Sequence, residues 1–224
     1  MEFSATTEKT VLEKRDHKGP LAVQRPFYPE RNVCHVYILH PPGGIVGGDR
    51  LAILVKASTN SHALITTPAA GKFYRSEKKQ ASQTVDICVG EDAILEWLPQ
   101  ETIIYQGAQV KSSVNVNLGV NARFIGWEIL SLGRPASGEG FDNGMVELNW
   151  QINHQQQPLF LERLFLDAKA FLARWGLQGF SACGTLFAFP ANSESLRKVQ
   201  ELIGESQGRG VTLVDQLLIC RGLD

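Results

Sequence analysis

Alternation of apolar and polar side chains constrains this chain more than any other feature of its sequence. Between residues 144 and 153 every second residue is apolar, from Val146 to Ile152, and polar residues occupy the positions between them. Successive side chains of a β-strand point to opposite faces, so this pattern is typical of a strand with one buried face. Similar runs predict further strands at 33–39, 51–56, 62–66, 84–89, 94–97, 102–106, 110–118, 159–166, 184–189 and 211–220. The sequence therefore predicts a mainly β, layered scaffold with antiparallel or mixed sheets.

Turn-forming residues separate these runs, which favours an antiparallel meander. One or two short helices are expected. The clear one covers 194–205, where apolar residues follow helical spacing, with Asn192 or Ser193 as N-cap and Gly204 near its end. The apolar run 122–132 fits a buried strand or a short helix equally well. No repeat or linker is visible, so residues 1–224 are expected to form a single domain.

Charge and composition exclude several classes of protein. Lys and Arg number 22 against 23 Asp and Glu, a net charge of -1, so no basic surplus is available to neutralise nucleic-acid phosphates. No run of eighteen apolar residues occurs, and the first ten residues lack the apolar core of a signal peptide. A cytoplasmic protein without a membrane or nucleic-acid partner is expected.

The cysteines and histidines do not predict a permanent metal site. Cys34, Cys88, Cys183 and Cys220 lie far apart and never in a CxxC pair, so reduced, mostly buried thiols are expected. Cys34, His35 and His40 are close in sequence, but a single strand would point the first two to opposite faces and hold Cys34 and His40 about 20 Å apart. His17, His62 and His154 stand singly.

Residues 40–50 contain four glycines but match neither a phosphate-binding nor a dinucleotide-binding loop. These glycines are expected to serve tight turns and close backbone approach rather than nucleotide binding. No G-x-S-x-G or H-E-x-x-H motif indicates nucleophilic or zinc-dependent catalysis.

Carboxylates inside apolar runs are the most informative candidates. Glu96, Glu128 and Glu162 each stand among large apolar residues. A buried ionised carboxylate must be paired, hydrated or protonated, because its desolvation costs several kcal/mol. The structural alternative is an outward-facing position or a salt bridge, such as Glu162 with Arg163 or Glu128 with Arg134. Together with Asp49, these acids could instead line a path for a divalent cation.

Six long sequence blocks are specific enough to identify a family. They are GPLAVQRPFYP at 19–29, CHVYILHPPGGIVGGD at 34–49, KFYRS at 72–76, LEWLPQ at 95–100, GWEILSLGRP at 126–135 and LERL at 161–164. Together they closely resemble the UreD (UreH) family of urease accessory proteins. The blocks follow the order and spacing of that family and extend over nearly the whole chain.

The resemblance implies a non-enzymatic β scaffold that docks on the urease apoprotein subunits and recruits UreF and, through it, the GTPase UreG. Nickel would pass through transiently, with no permanent cofactor, along an interior route whose polar lining corresponds here to Asp49, Glu128 and Glu162. Arg50 stands where some relatives carry an acid, and Gly71 where some carry serine. The family's C-terminal helical tail is absent, so we expect a truncated chain whose final strand, 211–220, is an exposed apolar edge.

Two other functions remain open from the residues alone. A carboxylate pair such as Glu128 and Glu162 could serve a hydrolase if the two acids lay about 5 to 9.5 Å apart in an open cleft. A plain β binding module would instead bury ordinary salt bridges and lack a polar interior.

Overall fold

Two facing β-sheets, with two helices at their margins, make up the computed structural model, which describes residues 1–224. The seven-stranded first sheet contains, in spatial order, β14 (Gln157–Asp167), β13 (Met145–His154), β11 (Gln109–Leu118), β8 (Ala81–Val89), β5 (Arg50–Ala57), β1 (Glu2–Ala5) and β2 (Thr10–Lys14). The ten-stranded second sheet contains β16 (Arg209–Val214), β17 (Leu217–Leu223), β15 (Ala182–Phe189), β12 (Arg123–Leu132), β9 (Ile94–Trp97), β6 (His62–Thr66), β4 (Cys34–Leu39) and β3 (Ala22–Val23), with β7 (Gly71–Phe73) and β10 (Thr102–Ile104) paired beside β12. The predicted mainly β, layered scaffold is confirmed.

Parallel pairing dominates the centre of both sheets, and the antiparallel meander was the wrong topology there. From β4 to β13 the chain crosses repeatedly from one sheet to the other, and only β7 and β10 follow a strand of the same sheet. Strands that become neighbours within one layer therefore run in the same direction, as in β5–β8–β11–β13 and β4–β6–β9–β12. Antiparallel pairs occur towards the sheet margins, so the sheets are mixed.

The clear helix of the sequence is α2 (Ser193–Ile203). The side chain of Asn192 accepts a hydrogen bond from the Ser195 amide as N-cap, and Gly204 follows the last turn. The ambiguous run 122–132 is the strand β12. A second helix, α1 (Ala168–Leu172), is too short to show helical periodicity, and the Asp167 side chain caps it.

The predicted strand at 211–220 is wrong in its extent and in its exposure. The chain turns at Asp215, whose φ is 50°, and β16 and β17 form a hairpin. Strand β17 lies between β15 and β16, and Leu217, Leu218 and Ile219 are buried. The edge of this sheet is therefore β16, whose side chains are exposed or half-buried.

The space between the sheets is filled by two separate hydrophobic clusters. The larger cluster contains 27 buried residues, among them Trp150 and Phe187, whose ring centroids lie 4.5 Å apart. The smaller contains 16, including Phe141 and Leu132. Most members of both clusters lie at alternating positions of strands, and the smaller cluster also contains Phe171 of α1 and the loop residues Phe141 and Leu177. Neither helix has the length and apolar character needed to cross a lipid bilayer.

Candidate functional site: a polar layer and a cavity between two cores

Polar residues occupy the inward-facing positions between the two hydrophobic clusters on three strands of each sheet. On β11, for example, Ser112 lies between Val110 of the smaller cluster and Val114 of the larger one. On β12, Glu128 likewise lies between Phe124 and Leu130. We call this set the polar layer; its members are Gln83, Ser112, Glu128, Glu162, Thr185 and Arg221.

A gap in the second sheet opens a cavity beside this layer. Strands β6 and β9 end at Thr66 and Trp97, and the chain resumes as β7 and β10 only after segments that contain Pro68 and Pro99. Proline has no N–H to donate to a ladder, so these positions interrupt sheet pairing. Strand β12 spans the interruption: its residues 123–126 pair with β9 and 130–132 with β10. Residues 127–129, including Glu128, therefore face the gap.

The cavity has a volume of about 400 Å³ and walls that are apolar over most of their area. Exposed residues such as Pro41, Pro68 and Gln100 form its rim. Its polar lining includes Gln83, Ser112 and Glu128 of the polar layer, together with His40 and Lys72 nearer the rim.

Glu128 is a partly buried acid whose hydrogen-bond donors are both uncharged. Its Oε2 accepts a hydrogen bond of 3.0 Å from the Trp150 indole N–H, and its Oε1 lies 3.5 Å from the Ser112 hydroxyl. Burial raises the pKa of Glu128; the two donors oppose this effect, and the nearby Glu162 carboxylate adds to it. Glu128 also lines the cavity. The proposed salt bridge with Arg134 is wrong, because Arg134 binds Glu139.

Glu162 forms an ion pair, but not with the predicted partner. Its Oε1 accepts from the guanidinium of Arg221, which reaches across from the second sheet. Arg163 lies on the opposite face of β14 and binds Glu147 at 3.2 Å. Glu162 belongs to the polar layer but does not line the cavity.

Asp49 lies apart from the other two acids, in the loop that precedes β5. Its Oδ2 accepts from the Val46 amide at 3.0 Å, and it is not part of the cavity wall. Its carboxylate acts on His40, which does line the cavity: burial lowers the pKa of His40, and Asp49 opposes that effect. The structure thus brings Glu128 and Glu162 into one layer and leaves Asp49 beside the rim.

The glycine loop serves backbone geometry, as predicted. A Cβ atom on Gly44 would lie 2.2 Å from the Tyr74 ring, and Gly48 has a φ of 100°. Position 71 is different, because a Cβ atom there would meet Thr102 Oγ1 at 3.4 Å, an ordinary contact. The cavity wall could therefore accept the serine that the family resemblance associates with this position.

The remaining candidate side chains, Glu96 and the possible metal ligands, are not arranged as a binding site. Glu96 faces outward and pairs with His62, Oε1 to Nε2, at 2.8 Å. No three His, Cys, Asp or Glu side chains come together in a group that could hold a metal ion.

All four cysteines are free, but only Cys34 is fully buried and Cys88 is exposed, so the expectation of mostly buried thiols is wrong. Burial, with the adjacent Glu128 carboxylate, raises the pKa of Cys183 to about 12. That thiol is consequently protonated at neutral pH.

Four members of the polar layer were not predicted from the sequence, although the sequence pattern that marks them is present. Gln83, Ser112, Thr185 and Arg221 are polar residues at inward positions of period-two runs. Arg221 shows the pattern plainly, since it follows Leu217 and Ile219 at the same spacing.

Comparisons with known proteins point to one family. A family model described as UreD urease accessory protein matches residues 1–224. The chain is 45% identical over 224 residues to the urease accessory protein UreD of Enterobacter sp. (strain 638), covering 100% of this chain and 81% of that protein. It is 44% identical over 232 residues to the protein of the same name from Dechloromonas aromatica (strain RCB), covering 99% of this chain and 80% of the relative.

Proposed function

Because this chain belongs to the UreD urease accessory protein family, we propose that it acts as a cytoplasmic, non-enzymatic scaffold for nickel delivery to urease. In this role it binds the urease apoprotein subunits and UreF, and through UreF the GTPase UreG. Nickel is a transient cargo, and Asp49, Glu128 and Glu162 are acids along its route. The observation that carries the route is the polar layer beside the cavity.

The chemistry of the layer suits passage of a divalent cation better than its retention. Carboxylate, amide and hydroxyl oxygens can each replace part of the hydration shell of a cation such as Ni²⁺. A path must also release the ion, and a site with many strong donors at one point would hold it. Here the cavity wall holds a single carboxylate, Glu128, with the neutral side chains of Gln83 and Ser112 nearby.

The geometry does not favour the hydrolase alternative. A glycosidase-type pair acts across one open cleft. Glu128 lines the cavity, whereas Glu162 does not line it and is engaged by Arg221. A plain β binding module is also a poorer account, because Glu128 lies in a polar interior without a salt-bridge partner.

Co-purification with urease tests the scaffold role. A tagged chain, expressed in cells that make the urease subunits, UreF and UreG, should retain the urease apoprotein and UreF. Cells that lack the chain should accumulate urease protein with little activity, and its expression should restore that activity. Equal urease activity with and without the chain would overturn the proposal.

A further inference from the structure

The ion pair between Glu162 and Arg221 closes the polar layer on the side away from the cavity rim. Glu162 lies on β14, the edge strand of the first sheet, and Arg221 on β17 of the second. This pair is a direct side-chain link between the two sheets at the outer end of the layer. The cavity reaches Glu128 but not Glu162.

Strand register connects the pair to Glu128. Glu128 of β12 lies opposite Thr185 of β15, which lies opposite Arg221 of β17. Two strand spacings place the Cα atoms of Glu128 and Arg221 about 10 Å apart. The two acids are also close enough for the Glu162 charge to act on Glu128. An ion at Glu128 would therefore meet Glu162 next, and would find it occupied by a guanidinium.

The two partners differ in their freedom to move. The Arg221 side chain is 50% exposed, whereas the Glu162 side chain is 24% exposed. An ion pair with one half-exposed partner is weak, because water and salt compete for the charges. Arg221 can rotate into solvent at little cost, while Glu162 stays in the layer. The movable part is thus the cation.

We propose that Arg221 is a gating residue that occupies Glu162 as a resident counter-cation and must swing out before Glu162 can take a divalent ion. This inference rests on the proposed nickel route and adds to it a residue with a defined role. While the Arg221 guanidinium is paired with Glu162, which we call the closed state, Glu162 cannot bind another cation. When Arg221 swings out, the Glu162 carboxylate is free to bind a divalent cation.

Equilibrium dialysis of the purified 224-residue chain against Ni²⁺ tests the gate. Arg221→Met should tighten the apparent Kd for Ni²⁺ about fivefold, because affinity is reduced by the fraction of time the site is closed. Arg163→Met is the matched control. It also removes one positive charge, next to Glu162 on β14, but it leaves the ion pair between Glu162 and Arg221 intact. This control should leave the Ni²⁺ affinity near that of the original chain. Adding Glu162→Gln to Arg221→Met should abolish the gain.

Two results would overturn the gate: equal Ni²⁺ affinity in the Arg221→Met and Arg163→Met variants, or a gain that survives in the double variant. If Arg221→Met fails to fold, Arg221→Lys replaces the planar fork with a point charge and should give a smaller gain, again abolished by Glu162→Gln. No gain in that pair of variants would likewise refute the proposal. These measurements use the isolated chain, so they are independent of whether urease activation requires it.

Discussion

At the scale of single residues, environment rather than residue type gives the three candidate acids different properties. Glu128 is partly buried and accepts from Trp150, Glu162 is held by Arg221, and Asp49 lies in a loop beside His40. A charged partner reduces the electrostatic cost of placing an acid inside a protein, whereas Glu128 has only neutral donors. Glu128 is therefore the acid whose charge the fold disfavours most.

Replacing Glu128 by Gln should make stability less dependent on pH. Burial raises the pKa of Glu128 in the folded chain, so above its ordinary value of 4.5 the unfolded chain loses this proton first. Stability then falls as pH rises through the interval between 4.5 and the raised pKa. Glu128→Gln removes this loss and keeps an acceptor for Trp150.

Thermal unfolding at pH 5 and pH 8 measures this effect, with about 2–4 °C in Tm for each kcal/mol in a chain of this size. The Tm of Glu128→Gln should exceed that of the original chain at pH 8, and the two Tm values should differ less at pH 5. Glu205→Gln, which changes an exposed acid beyond the end of α2, is the control. A pH dependence unchanged by Glu128→Gln would show that this acid is not disfavoured as an anion in the folded chain.

At the scale of secondary-structure elements, the sequence predicts most of the longer strands but poorly predicts their pairing, and the short strands β1, β2, β3 and β7 were not predicted. Period-two alternation identified 62–66 and 94–97 with their observed bounds, because it records which face each side chain takes. Whether neighbouring strands are parallel depends instead on which sheet the chain enters after each strand. The turn residues between the strands do not specify this choice. The hairpin at Asp215 was missed because apolar residues continue on both sides of a two-residue turn.

The polar layer was predictable only in part for the same reason. Glu128 and Glu162 stood out because charge within an apolar run is costly. Their neighbours could be assigned only once the register was known. The ion pair of Glu162 joins residues 59 positions apart in sequence, on strands of different sheets. The local choice, Arg163, points to the other face.

Helix α2 should depend on its N-cap, because none of its residues is buried. Asn192→Ala removes the acceptor for the Ser195 amide and should destabilise the helix by about 1 kcal/mol. Hydrogen exchange of the α2 amides should accelerate about fivefold, while exchange in β12 stays unchanged. Ser206→Ala, just beyond the helix, provides the control. Unchanged exchange in α2 would mean that packing on β16, rather than the cap, holds the helix.

At the scale of the whole molecule, the interior consists of two apolar cores with a polar layer between them. The chain carries a net charge of only -1, so long-range attraction to a partner is weak. Large apolar side chains are nevertheless exposed, among them Trp175 at 73% and Leu161 at 65%. Association through apolar area is therefore the expected mode.

Salt should accordingly have a small effect on partner binding. Raising ionic strength from about 0.02 M to about 0.15 M shortens the screening length and weakens steering between charges. The Kd for urease apoprotein or for UreF should rise by less than about threefold over this range, measured by surface plasmon resonance. A loss of binding by more than tenfold would show that local charge patches dominate the interface.

The most direct test of the nickel route is the metal content of urease matured with altered acids. The variant combines Asp49→Asn, Glu128→Gln and Glu162→Gln, which keep side-chain shape and remove charge. Urease is purified at matched yield of the accessory complex, and its nickel is measured by inductively coupled plasma mass spectrometry. Glu96→Gln is the control, because Glu96 faces outward and pairs with His62. Urease matured with this variant should contain the normal amount of nickel. The account predicts that the triple variant assembles the complex but delivers much less nickel, whereas normal nickel loading would contradict it.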